Sequence, residues 1–177
     1  DGRDVPDRSA ERYLQQVQDF LDQINESGAD CQIASGGGRM VTTMDRYRAN
    51  WPVVHAGWDA HVRGIGDRFS SATAAVEAAR AKNPGVSDQL IPPFVIVDER
   101  DEPVGPINDG DSVVVFNFRG DRVIQICEAF IAGPEFSGFD RGQKVPSVAF
   151  AGMTLYDGDT NFPPVRLIDP EPMTGTV

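Results

Sequence analysis

The sequence predicts an α/β fold, a layered domain with a largely parallel sheet flanked by helices. Three observations carry this. Segments with apolar residues at helical spacing alternate with short β-branched runs. Gly, Pro, Asn and Asp punctuate the joints between them. The chain has 177 residues, enough to bury the core of one ordinary domain.

In order, Ser9 and Glu11 open a helix in which Tyr13, Leu14, Val17, Phe20, Leu21 and Ile24 form an apolar stripe, and Gly28 ends it. Cys31 to Ala34 reads as a buried strand running into Gly36-Gly37-Gly38-Arg39. A second helix starts near Asn50 with Trp51 and Pro52, buries Val54, Trp58 and Val62, and ends near Gly64. A third, alanine-rich, runs from about Ser71 to Ala81 and stops before Asn83-Pro84-Gly85. Strands follow at Phe94–Val97 and Val113–Phe116, each bounded by turn residues. A helix with Val123, Ile124, Cys127 and Phe130 on one side comes next, then a last strand from Ser147 to Leu155. Residues 1–160 read as the domain, and 161–177 as a proline-rich tail serving as loop or linker.

Composition narrows the function classes. A formal net charge of −11, from 27 acidic and 16 basic residues, argues against nucleic acid and anionic membrane as partners. No apolar run approaches the ~20 residues of a transmembrane helix. Cys31 and Cys127 form no CxxC pair and fall in apolar contexts, so both are expected buried and inert, with a reducing compartment such as the cytoplasm as the default. His55 and His61 are six residues apart, the wrong spacing for a shared ligand face, and read as surface or packing residues. The chain opens on Asp1-Gly2-Arg3-Asp4 without an initiator methionine, which reads as a piece of something longer. Of the 16 basic residues only Lys82 and Lys144 are lysines. Arginine suits bidentate recognition of phosphate and carboxylate.

Those arginines follow the predicted strands. In a parallel α/β sheet such segments gather on one edge, where ligands bind, so Arg39, Arg46, Arg119 and Arg122 are expected to converge, with Arg3 beside them if a strand precedes it. Arg119 and Arg122 oppose the dipole at the start of the last helix and share a face at a spacing of three. Together with free amides they make a candidate phosphate site. Pairing of both with nearby carboxylates is, from the pattern alone, the slightly stronger expectation. The triple glycine lacks Walker A spacing and is either a phosphate cradle or a tight turn. Asp4 and Asp45, each next to an arginine, are candidate general acid/base groups, although a structural salt bridge is the stronger expectation. No G-x-S-x-G nucleophile motif is present.

In combination, Asp1-Gly2-Arg3-Asp4, Gly38-Arg39 with Met44-Asp45-Arg46, and Asn117-Phe118-Arg119-Gly120-Asp121-Arg122 resemble the cofactor-independent phosphoglycerate mutases. Ser35-Gly36-Gly37-Gly38-Arg39-Met40, Pro93-Phe94-Val95-Ile96-Val97-Asp98 and Ala151-Gly152-Met153 resemble their plant and trypanosomatid branch, and the extra residue between Arg39 and Arg46 fits it. The resemblance implies most of an inserted substrate-binding domain. It implies a second, alkaline phosphatase-like domain holding two manganese (or magnesium) ions beside a nucleophilic serine, none of which this chain supplies. Arg3 and Asp4 would contact the glycerate of 3- or 2-phosphoglycerate, with Asp4 the proton shuttle. Arg39 and Arg46 would hold the carboxylate and oxygens, and Arg119 and Arg122 the phosphate. The alternative is a non-catalytic acidic module with structural arginines that binds a protein partner.

Overall fold

The computed structural model describes residues 2–143 and 145–170; Asp1 of the first motif and the end of the predicted tail lie outside them. The chain divides into two compact units, Asp1–Met44 with Pro52–Ile107, and Asp45–Trp51 with Asn108–Val177.

The first unit holds α1 (Ala10–Asn25), β1 (Ser35–Gly36), α2 (Trp51–His61, all but its first residue), β2 (Asp67–Phe69), α3 (Ala72–Lys82) and β3 (Phe94–Ile96). Its sheet has the order β1-β3-β2. β3 is buried throughout, which explains its unbroken apolar run Phe94-Val95-Ile96. It pairs in parallel with β2 and antiparallel with β1. The side chain of Ser71 caps α3 by accepting from the Ala74 amide at 3.1 Å. Ala72, Ala75 and Val76 of that helix pack with Val86, Ile91, Phe94 and Ile96 to form the core. Val54 and Trp58 of α2 are fully buried, each contributing about 1.5–3 kcal/mol or more of apolar transfer.

The second unit contains β4 (Ser112–Val115), α4 (Ile124–Ile131) and β5 (Ala149–Gly152). β4 and β5 are parallel, in register from Ser112↔Ala149 to Val115↔Gly152. Phe130 stacks on Phe150 at 5.3 Å, joining α4 to β5. The Arg141 guanidinium donates to the carbonyls of Ala129, Ala132 and Gly133, which closes the C-terminal end of α4.

The α/β class holds, and among the described residues two of the three strand pairings are parallel. The strands fall in two small sheets rather than one. The strand expected at Cys31–Ala34 appears as Ser35–Gly36, although the Ala34 carbonyl already accepts from the Ile96 amide. β2 escapes a reading by alternation because two of its three residues, Asp67 and Arg68, are exposed and charged. Within the expected tail, Val165 and Leu167 exchange backbone hydrogen bonds with Gly152, so this part runs beside β5. The stripe of α1 is only lightly used: Leu14 packs on the core, while Tyr13, Val17 and Phe20 are exposed.

Candidate functional site

In the first unit, Arg3 and Asp4 sit on an exposed loop before α1. Arg39 is half-buried in the glycine-rich loop after β1. Both loops rest on one short turn, the 3₁₀ segment Asp88–Leu90 and its neighbour Ile91. The Gly38 amide donates to the Ile91 carbonyl at 2.7 Å, and the Met40 amide to the Gln89 carbonyl at 3.0 Å. A Cβ on Gly38 would stand 2.4 Å from the Gln89 backbone, so glycine is required for this approach. The triple glycine is therefore a close-packing turn, and the Gly38 amide is already used within the chain.

His61 fastens both ends of that loop. Its Nδ1 lies 2.8 Å from the Ser35 hydroxyl and its Nε2 2.7 Å from the Thr43 hydroxyl. Each hydroxyl can donate or accept, so a neutral ring is satisfied in either tautomer. Burial lowers the His61 pKa. The expectation of an ordinary packing histidine misses this role. His55 lies 3.5 Å from Asp59 on the same helix.

A cavity of about 410 Å³ lies in this unit against α1, with Asp4, Gly36 and Gly37 in its lining. Tyr13, Leu14, Val17, Ile33, Ile91 and Phe94 make most of its wall apolar. Such a wall does not suit a polyanion.

In the second unit, Asp121 gathers two of the predicted arginines. Arg46 pairs with its carboxylate, and Arg119 Nε lies 3.8 Å from it. Arg46 also lies over the Tyr47 ring, 5.6 Å from the centroid. Arg122 shares the 3₁₀ turn Gly120–Arg122 with Asp121, and Arg119 stands at its N-cap position without a side-chain cap. This corrects the expected geometry: the two arginines lie on a turn before α4, which begins at Ile124, so no α-helical face or α-helical N-terminus displays them together. The turn forms because the Val123 amide bonds back to the Gly120 carbonyl.

Asp45 is not arranged as a general acid/base. It is buried, which raises its pKa, but hydrogen bonds from the Asn50 amide, the Gln125 side chain and the Arg46 and Ala49 amides outweigh that and hold it below the usual carboxylate value. Its structural role comes through these donors and not through the expected salt bridge. Cys127 is buried and its thiol pushed up to about 12, as an inert residue requires. Cys31 differs from expectation in being only half-buried.

A family model described as "BPG-independent PGAM N-terminus" matches residues 1–158. The chain belongs to this family. A probable 2,3-bisphosphoglycerate-independent phosphoglycerate mutase of Leptospira interrogans is 51% identical over 177 residues, which cover 100% of this chain and 32% of that protein. The mutase of Trypanosoma brucei brucei is 47% identical over 99% of this chain and 32% of its own, and that of Prunus dulcis 48% identical over 96% and 34%. A crystal structure of Leishmania mexicana phosphoglycerate mutase at low cobalt concentration superposes with a TM-score of 0.92 at 48% identity, covering 96% of this chain and 30% of that one. The chain thus spans about a third of the length of the mutase relatives it matches.

Among the described residues, no group of three or more His, Cys, Asp or Glu is gathered to hold a metal ion. The described residues therefore offer no donor set for the two ions, which the resemblance places on a second domain.

Proposed function

We propose that this chain is the substrate-binding half of a phosphoglycerate mutase that interconverts 3- and 2-phosphoglycerate without 2,3-bisphosphoglycerate. The observation that carries the reading is the match over nearly the whole chain to mutases at about half identity. Asp4 moves a proton at the glycerate hydroxyls, beside Arg3. Arg39 and Arg46 hold the carboxylate and oxygens, and Arg119 and Arg122 grip the phosphate. The nucleophilic serine and the manganese or magnesium ions belong to the phosphatase-like remainder, which is this chain's partner in a cytoplasmic enzyme.

The substrate carries roughly −2.5 to −3 charges at neutral pH, counting its carboxylate and a phosphate of about −1.5 to −2. Arginines stay charged and hold an anion in alternative orientations, as a glycerate that turns over between two transfers requires. Positioning and charge stabilisation are the main protein contributions to phosphoryl transfer.

The ion pair between Arg46 and Asp121 favours a second reading, in which the arginines are structural. Its two side chains are 35% and 36% exposed, and a pair that open to water is worth only ~0–1 kcal/mol. An incoming phosphate or carboxylate can displace the Asp121 carboxylate at that cost. Asp121 therefore marks an anion position more than it braces the fold.

The deciding experiment replaces Arg119 in the full-length protein. Arg119→Ala is expected to weaken substrate or transition-state binding by about 2–5 kcal/mol, the usual loss when one partner of a buried charge pair is removed, as the pair becomes once substrate is enclosed in the full-length enzyme. Steady-state kinetics on folded protein reads it. A fall of less than about tenfold in kcat/KM, which is ~1.4 kcal/mol, rejects direct phosphate contact.

A further inference from the structure

The turn at residues 87–91 is held to the Arg3–Asp4 loop by bonds that run both ways. Asp7 Oδ1 accepts from the Ser87 hydroxyl at 2.8 Å and from the Asp88 amide at 3.0 Å. In return Asp88 Oδ2 accepts from the amides of Ser9 and Ala10, at 2.7 and 3.0 Å. Gly2 closes the other end of the loop: a Cβ there would stand 2.8 Å from Asp88 Cβ, and its φ is +68°. The stretch carrying Arg3 and Asp4 thus passes against Asp88 at Gly2 and is fastened to it by hydrogen bonds at Asp7, Ser9 and Ala10.

Helix capping alone does not explain this arrangement. Ser9 is the N-cap of α1, yet its hydroxyl donates to the Pro6 carbonyl and gives no cap. The cap comes instead from a carboxylate 79 residues away. A local cap would stabilise α1; a cap from Asp88 also ties α1 to the turn. The Asp88 side chain is only 4% exposed, and its charge is met by Arg80 at 2.7 Å. Burying a carboxylate is costly unless it is paired and hydrogen-bonded, and this one is both. The Ile91 and Gln89 carbonyls of the same turn take the amides of Gly38 and Met40, the two neighbours of Arg39.

We infer that Asp7 and Asp88 form a reciprocal clasp that positions Arg3 and Asp4 in register with Arg39 for the mutase reaction. Neither touches the substrate; both are positioning residues. The inference rests on the proposed function, which gives those three groups a common ligand.

The test uses the full-length protein, with melting temperature checked for every variant. Asp88→Ala, which removes the oxygen that both amides share, is expected to lose roughly tenfold to a hundredfold in kcat, the scale of a misplaced reacting group, with a smaller change in KM. Asp7→Ala, which removes two exposed hydrogen bonds, should lose about fivefold, whereas Asp7→Asn keeps an Oδ1 able to accept both bonds and should stay within about twofold. Combined with Asp4→Asn, neither loss should multiply, because the clasp acts through the Arg3–Asp4 loop. Losses that multiply with Asp4→Asn, or folded Asp88→Ala and Asp7→Ala proteins with unchanged kcat, overturn the clasp. Should Asp88→Ala fail to fold, the exposed Asp7 pair decides alone. Unchanged turnover in Asp4→Asn overturns the functional reading and the clasp with it; loss there with none in the clasp variants overturns the clasp only.

Discussion

Both ring nitrogens of His61 meet hydroxyls, and the ring tethers the two ends of the loop that carries Arg39. Burial holds its pKa below 6.5, so the folded chain takes up that proton less readily than the unfolded one. The stability contributed by the neutral ring is therefore complete above pH 6.5 and declines as the pH falls below it. We expect the melting temperature to drop between about pH 7 and pH 5, and His61→Gln, which cannot take a proton, to flatten that slope. Asp7, Asp45, Asp98 and Asp157, whose pKa values are all lowered from 3.8, titrate outside this window. An identical slope in the variant would remove His61 from the account.

At the scale of elements, the excursion Asp45–Asn50 depends on one carboxylate. Tyr47 and Arg48 adopt left-handed backbone conformations, with φ of +62° and +54°. The Asp45 carboxylate holds this turn through the Asn50 amide at 2.6 Å and ties it to Gln125 of α4 at 2.7 Å. Gln125 is itself buried, so Asp45→Ala leaves a buried amide without its acceptor, at a cost of about 1–3 kcal/mol. The same change frees the loop bearing Arg46. Asp45→Ala should thus lower both the melting temperature and the affinity for substrate, while Asp45→Asn, which keeps an acceptor, should lose less. Thermal melts and KM measured on the full-length protein check both. Unchanged stability in Asp45→Ala would refute the bracing role.

What the sequence reveals follows the distance over which each interaction acts. The helices at Ala10–Asn25, Trp51–His61 and Ala72–Lys82 are legible because periodicity, caps and breakers lie within the segment itself. The arginine motifs are legible because their residues are contiguous. Asp7, Asp88 and His61 are not, because their partners lie 81, 79 and 26 residues away and no local pattern marks them. Asp121 sits inside a recognised motif, yet its pairing with Arg46 spans 75 residues. The error over Arg119 and Arg122 has a local cause. Gly120 and Asp121 continue the helix-like spacing, but the chain makes a tighter 3₁₀ turn before the α-helix starts.

For the whole molecule, charge and division of labour lead to one expectation. The chain carries a net charge of −11, so only a local cluster of cations can attract a phosphoglycerate. Arg46 and Arg119 supply such a cluster around Asp121, partly open to water. In that setting each contact is screened by salt and weakened by the high dielectric. Phosphoryl transfer also needs a nucleophile, and the mutase relatives are about three times as long as this chain. The isolated chain should therefore bind 3-phosphoglycerate weakly, with an affinity that falls as ionic strength rises, and should show no turnover. Calorimetric titration at two salt concentrations reads the first part. Mutase and phosphatase assays with added manganese, run beside the full-length protein, read the second. Salt-independent binding would point away from the arginines. Turnover by the chain alone, abolished by Asp4→Asn, would mean that a complete active site lies within these 177 residues and that the proposed division of labour is wrong.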